Sequence, residues 1–492
     1  MDDSRVEIGR RREPLRSQRW TESLGLFLVV ASVFLLMPQR TLHGVDGEVF
    51  LSWIEQGRYD YPRHVAYLHV VGALHSVFRP IGMTALEALL LASALGSGIA
   101  AVCLHRTFRL LAPKPFRSGA LPAFAAMATG PCLYYATCAE IHGVFAGPAA
   151  AAWWAFARLL LEPSLKRALA VGLCTGAAAS VHAFGHVLLP TIALAAFAWG
   201  GPRRGVPFLW WPFVGLAHVA VTVCVAAALG SGPSGQAVDI LEFCAAQWEN
   251  LELATAPDVF VREWLLPCAP WSVCAIVGLF VSRARVWSLA TLLALLLHMP
   301  ATVLLLGHHR IDEGGAYQIA VVPLAVLVGV RILRWREFLL ATIAGFGLSI
   351  AHVAPQWREP VSLDFVQAVG AIQQQHKMAL IVGRRHELDG VRTGVEGAVV
   401  VDLGAALHLW LEQRDQGVTL AQWFQGWVGR FQQADLPVLL SQSAVDFFAN
   451  VPEPAVREFW DEHVPEAYSV VPERRPGFEG AFVIPLPAAG DR

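Results

Sequence analysis

Apolar runs recur through the first 355 residues, separated by short polar connections, and then stop. Runs able to cross ~30 Å of hydrocarbon read as membrane spans. The pattern predicts about eleven, near residues 24–37, 83–104, 120–136, 144–161, 168–181, 187–199, 206–229, 265–281, 286–306, 319–333 and 338–353. Residues 168–199 could instead form one long tilted helix, which would invert everything downstream; the alternating basic loops argue for two spans. Between the first two spans, 64–78 places His64, Leu68, Val71, His75 and Phe78 at helical spacing. It is short and His-rich, so it is expected to lie along the membrane interface. After residue 355 the period changes. Strands are expected at 378–382, 398–402, 437–441 and 481–485, with helical patterns near 363–375, 420–433 and 443–449. Strands alternating with helices give a small α/β domain.

The expected fold class is therefore a polytopic α-helical membrane protein with a C-terminal α/β domain. Residues 1–23 form a tail, 24–355 the membrane domain with an outer loop at 38–82, and 356–492 the α/β domain. Composition agrees: 55% of the 492 residues are apolar and 15% charged, where soluble domains carry about a quarter charged. The basic N-terminal region is followed by Pro38-Gln39-Arg40 rather than a small-residue cleavage site, so the first span is expected to stay attached. Twenty Lys and Arg fall in the segments assigned inward and six in the outer loops before residue 355. The positive-inside rule then places the N-terminus in the cytoplasm of a plasma (inner) membrane and the C-terminal domain outside it. A net charge of −2 with no basic stripe beyond membrane-flanking loops gives no nucleic-acid partner. None of the eight Cys forms a CxxC pair, and most sit in apolar runs as small hydrophobes. No GxGxxG or P-loop occurs in the α/β domain.

Candidate chemistry collects on the outer face. Asp46-Gly47-Glu48 lies in the first outer loop. A carboxylate there could act as general base on a hydroxyl or help hold a divalent cation, and it reads equally as an acidic turn bent at Gly47. Glu140 and His142 occupy a very short connection where nothing obliges a charge. His182 and His186 stand at i, i+4, a spacing that could bind a metal from one helical face; the turn expected at Gly185 favours hydrogen bonding instead. His308-His309-Arg310 offers cationic donors suited to a phosphate, and reads equally as an interfacial basic cluster.

In order, these features resemble the GT-C superfamily of polytopic glycosyltransferases, with the closest likeness to its protein O-mannosyltransferase-like branch. The family's acidic D-S-G-E type motif matches Val45-Asp46-Gly47-Glu48. A Pro- and His-containing stretch follows at Tyr61-Pro62-Arg63-His64, and an L-P-x-G-type segment at Arg79-Pro80-Ile81-Gly82. An A-E-V-Y-like motif matches Ala139-Glu140-Ile141-His142, and a His-bearing segment runs from Gly176 to His186. The likeness covers roughly residues 24–200. It implies transfer of a sugar, mannose in that branch, from a polyprenyl-phosphate donor to a protein or glycan acceptor hydroxyl at the outer membrane face. By that carry-over the catalytic set is Asp46 as base with Glu48 and Glu140 beside it. The substrate-binding set is His64, His142, His182, His186, His308 and Arg310, the last two facing the phosphate on the ground of charge alone. Two other readings remain open: a transporter or flippase, for which paired discontinuous helices are the missing mark, and a non-catalytic assembly protein, favoured by the absence of Ser beside Asp46.

Overall fold

The computed structural model describes residues 16–38, 50–51, 53–59, 64–199, 209–230, 261, 265–306, 319–358, 363–383, 387–388, 391, 395, 397–404, 406–407, 410, 417–450 and 454–486. The described chain divides into two compact units, one ending at Ala354 and one starting at Pro355.

The first unit is helical. Its helices are α1 (Arg16–Leu36), α2 (Tyr67–Phe78), α3 (Ala85–Leu111), α4 (Ala120–Met127), α5 (Gly130–Thr137), α6 (Ile141–Leu161), α7 (Leu165–Val181), α8 (Gly185–Trp199), α9 (Trp211–Ala228), α10 (Trp271–Val277), α11 (Arg285–Leu306), α12 (Val322–Ile332) and α13 (Trp335–Arg358). Among the described residues three are long and apolar enough to cross a membrane, namely α3, α6 and α9; the other apolar helices are shorter. The expected spans fall on helices of the described residues, several of them shorter than a full crossing. α3 has 27 residues, about 40 Å at the helical rise, which exceeds the hydrocarbon thickness. A capping box starts it: Glu87 N–H donates to Thr84 Oγ1 at 3.2 Å, and Thr84 N–H donates to Glu87 Oε2 at 2.7 Å. This satisfies amides that the first turn would otherwise leave open.

Two helix crossings depend on glycine. A Cβ on Gly96 of α3 would overlap the Gly143 carbonyl of α6, and one on Gly143 would overlap the Tyr135 carbonyl and press on Ser93. Gly147, one turn further, would meet Gly96 O at 3.1 Å. α3 and α6 thus touch backbone to backbone, the close approach that small residues four apart permit where lipid supplies no hydrophobic drive. Gly172 and Gly176 of α7 do the same against Val214 and His218 of α9.

Residues 168–199 form two helices. His182 closes α7, and the turn is fixed because a Cβ on Gly185 would overlap the backbone of Ala178 and Ala179. Two expected spans are broken instead. The run 120–136 divides into α4 and α5 at extended Thr129; Pro131 takes the first turn of α5, and Gly130 N–H donates to Pro267 O at 2.9 Å. The run 265–281 is α-helical only from Trp271, whose indole donates to Ala125 O at 3.2 Å, and passes into a 3₁₀ turn at Gly278–Phe280. Thr129-Gly130-Pro131, and Pro267 and Pro270, mark the two breaks in the sequence, and contacts between the two segments fix them.

The second unit holds a five-stranded sheet of order β2-β1-β3-β5-β4, built from β1 (Ala379–Val382), β2 (Val399–Asp402), β3 (Val438–Ser441), β4 (Tyr468–Arg475) and β5 (Phe478–Pro485). β1 runs parallel to β2 and β3, and β5 is antiparallel to β3 and β4. All four residues of β1 are buried, as a central parallel strand covered on both faces requires. Leu380 and Val382 meet Val369 and Ile372 of α14 (Leu363–Gln375) on one face. Ile381 faces a cluster containing Trp423 and Phe424 of α15 (Leu420–Gln433) and Phe448 of α16 (Gln442–Asn450). β4 is absent from the strand expectations. Its sequence, Tyr-Ser-Val-Val-Pro-Glu-Arg-Arg, carries proline and charges because it is an edge strand, where both discourage further pairing.

Candidate functional site

Four of the residues singled out in the sequence are buried near one another in the first unit: His64, Glu140, His142 and His182, with relative exposures of 7%, 4%, 6% and 6%. Each is delivered by a helix end. Glu140 is extended and caps α6, its carboxylate accepting the Ile141 amide. A carboxylate at a helix N-terminus is favoured by the axial dipole. Its own carbonyl accepts Ser93 Oγ of α3 at 3.0 Å, so the connection before α6 is tied across the α3–α6 crossing. His142 follows in the first turn, with Tyr135 edge-on at 4.8 Å between ring centroids.

His182 lies at the centre of the group. Its ring stacks on His64 at 4.5 Å and 27°, and lies 4.8 Å from His142 and 5.7 Å from Phe145. His182 Nδ1 accepts the Phe184 amide at 3.0 Å. A backbone N–H can only donate, so the neutral ring carries its proton on Nε2. The segment at His64 is held here by Ala66 N–H, which donates to Ser180 O at 2.9 Å. Phe50 closes the side, 4.9 Å from Tyr67 and 6.4 Å from His64. The expected interfacial helix therefore starts at Tyr67, and His64 precedes it in a separate turn. Replacing His182 with Phe keeps a ring but removes the acceptor of the Phe184 amide, at a cost of about 1–3 kcal/mol. A lower melting temperature in a detergent-solubilised thermal melt is the expected result.

His186 does not share a helical face with His182. The turn separates them, and His186 reaches α9 instead, with Nδ1 2.8 Å from His218 Nε2. His186 thus hydrogen-bonds, as the turn expected at Gly185 suggests, but with a residue of another helix. His218 Nδ1 lies 3.1 Å from Thr175 Oγ1, and His298 Nε2 lies 3.0 Å from Thr191 Oγ1. His218 and His298 are buried and were missed in the sequence; an ionisable residue inside an apolar run was the available signal. Among the described residues, no three His, Cys, Asp or Glu side chains converge for a metal ion. Asp46, Glu48, His308 and Arg310 lie outside the described residues.

The geometry combines a buried, dipole-held carboxylate with three packed imidazoles, one of known tautomer. Such a site can orient a hydroxyl and donate to a phosphate oxygen in surroundings where each hydrogen bond is stronger than in water.

No family model and no curated protein matches the chain. Among solved structures it is similar to ArnT from Cupriavidus metallidurans bound to undecaprenyl phosphate, at 14% identity and a TM-score of 0.53, over 94% of this chain and 98% of that one. It is more loosely similar to the Archaeoglobus fulgidus oligosaccharyltransferase in complex with Zn and sulfate, at 11% identity and a TM-score of 0.47 over 94% and 74% of the two chains. The apo state of the same ArnT gives 14% identity and a TM-score of 0.40, over 94% and 98%. Those two likenesses are too loose to argue from. The first shows a shared fold.

Proposed function

We propose that this chain is a glycosyltransferase that moves a sugar from a polyprenyl-phosphate donor to an acceptor hydroxyl at the outer membrane face. The observation that carries the reading is the fold likeness to the undecaprenyl-phosphate complex of ArnT, which extends over nearly the whole of both chains. The order of short motifs from Asp46 to His186 supports it independently, and so does the burial of Glu140, His64, His142 and His182 in one group.

In the proposed reaction Asp46 takes the proton of the acceptor hydroxyl as its oxygen attacks the anomeric carbon. The bond from that carbon to the phosphate oxygen breaks, and polyprenyl phosphate leaves with its electron pair. A phosphate is already a competent leaving group, so the protein must position the acceptor, remove one proton and stabilise the departing charge. Phe50, which packs on Tyr67 and beside His64, follows Asp46 by four residues. Glu48 or Glu140 orients the acceptor, and His142 and His182 line its approach. His182 has an Nε2 proton to donate. His308 and Arg310 are assigned to the phosphate by charge. In this reading the C-terminal unit lies outside the membrane, which the distribution of basic residues supports.

The test is Asp46→Asn, assayed in proteoliposomes with a labelled polyprenyl-phosphate sugar and an acceptor. Loss of a general base costs about 10²–10⁴ in rate. The expected result is a fall of at least about a hundredfold with unchanged membrane insertion. Wild-type transfer by the variant would remove Asp46 from the mechanism.

A further inference from the structure

Two turns of the first unit meet at one end of its helices. One, at residues 281–285, leads into α11; the other, at 331–336, joins α12 to α13. Arg283 donates to Ile332 O at 3.1 Å, and the Arg331 guanidinium stacks 4.1 Å from the ring centroid of Trp287. Together the turns carry Arg283, Arg285, Arg331, Arg334 and Arg336, and the single acid beside them is Glu337. Glu337 accepts the Arg334 amide at 2.7 Å, so it caps the start of α13. Both turns and the helix ends that flank them lie within the described residues.

Of the five arginines, only Arg331 is explained by its own helix. It lies in the last turn of α12, where the axial dipole favours a cation, and it donates to Leu327 O at 2.7 Å and to Leu111 O at 3.4 Å. The other four stand at the starts of α11 and α13, the helix end that disfavours cations. All four are exposed. Arg283 and Arg285 each use one N–H on a carbonyl, and a guanidinium has five. Elsewhere in the unit Arg109 pairs with Glu22 and Arg167 with Glu162. The local helices therefore do not account for this concentration of charge, and most of its donors point outward.

The surface next to the arginines identifies what they bind. From Arg285, α11 continues with exposed Leu289, Leu293 and Leu296; from Arg336, α13 continues with exposed Leu340 and Ile343. These positions recur at helical spacing, so each apolar stripe runs along the same face as the arginine at its head. Exposed Trp335 stands between Arg334 and Arg336, the place of an aromatic at a membrane interface. A cationic head above an apolar wall has the two halves of a phospholipid, a phosphate and acyl chains. A free phosphate would meet only the first half. We propose that the two turns form a binding patch for anionic phospholipid, with the headgroup on Arg283, Arg285, Arg334 and Arg336 and acyl chains along the exposed stripes. Guanidinium forks bond phosphate oxygens in pairs, and each basic residue near the membrane surface adds attraction for a head of net negative charge. The inference rests on the membrane-spanning reading of the fold and is independent of sugar transfer.

The test titrates the full chain in detergent with phosphatidylglycerol or phosphatidylcholine and reads the retained lipid by native mass spectrometry. The wild type is expected to hold phosphatidylglycerol at least about tenfold more tightly than phosphatidylcholine. Arg283→Gln combined with Arg285→Gln should remove most of that preference. If this pair melts early, Arg334→Gln with Arg336→Gln takes its place. The control pair, Arg158→Gln with Lys166→Gln, deletes the same charge from α6 and α7 and should keep the preference. Inorganic phosphate should leave the lipid bound. Equal affinity for the two lipids, an equal loss in the control pair, or displacement by inorganic phosphate would overturn the proposal.

Discussion

Glu140→Gln is expected to slow sugar transfer by about 10²–10³ and to leave the chain folded in the membrane. The two effects separate because the side chain has two jobs. As the cap of α6 it accepts the Ile141 amide, and a glutamine carbonyl oxygen can accept the same bond. Only the charge–dipole contribution is lost, about 0.3–1 kcal/mol, so monodispersity in size-exclusion chromatography should hold. In the proposed reaction the charge itself orients the acceptor beside the packed imidazoles, in a site only 4% exposed. Electrostatic positioning groups in such sites are worth about 10²–10³ in rate. The initial transfer rate in proteoliposomes is expected to fall by that factor. A rate within twofold of wild type would reduce Glu140 to a helix cap.

Gly143→Leu is expected to prevent the chain from accumulating as a folded protein. A Cβ alone at this position overlaps the Tyr135 carbonyl and crowds Ser93. Neither neighbour can move freely: Tyr135 belongs to α5, and Ser93 is buried while bonding to Glu140 O. Overpacking costs about 1–3 kcal/mol where side chains can shift; backbone overlap places this site at or beyond the upper end. Against a total stability of about 5–15 kcal/mol, that is a large share. The matched control is Gly215→Leu in α9, where a Cβ meets nothing within 4 Å. Fluorescence-detected chromatography after expression should show a collapsed profile for the first and a wild-type profile for the second.

Much of the helical order was legible in the sequence because apolar runs and basic loops are local signals. The helices Leu165–Val181 and Gly185–Trp199 and three helices of the second unit fall where the pattern puts them. The breaks at Thr129 and before Trp271 have local signs in Gly130-Pro131 and in Pro267 and Pro270 that a reading by apolar runs passes over; the contacts that fix them, to Pro267 O and Ala125 O, lie far away in sequence. The strand Tyr468–Arg475 was hidden by the polar residues its edge position demands. At the site, Glu140 and His142 stood out because a short connection needs no charge, and both are buried. The pairing of His186 with His218 rather than with His182 was beyond a spacing argument. It depends on where α9 crosses α7, which Gly172 and Gly176 decide.

The central claim is that this fold consumes a lipid-linked sugar. The most direct measurement places purified protein in liposomes with a polyprenyl-phosphate donor carrying a labelled sugar, adds acceptor, and follows both halves of the donor by chromatography. The account predicts that label appears on the acceptor in step with release of polyprenyl phosphate, and that Asp46→Asn and Glu140→Gln each suppress both. Intact donor that binds without being consumed, or that only crosses the bilayer, would contradict it.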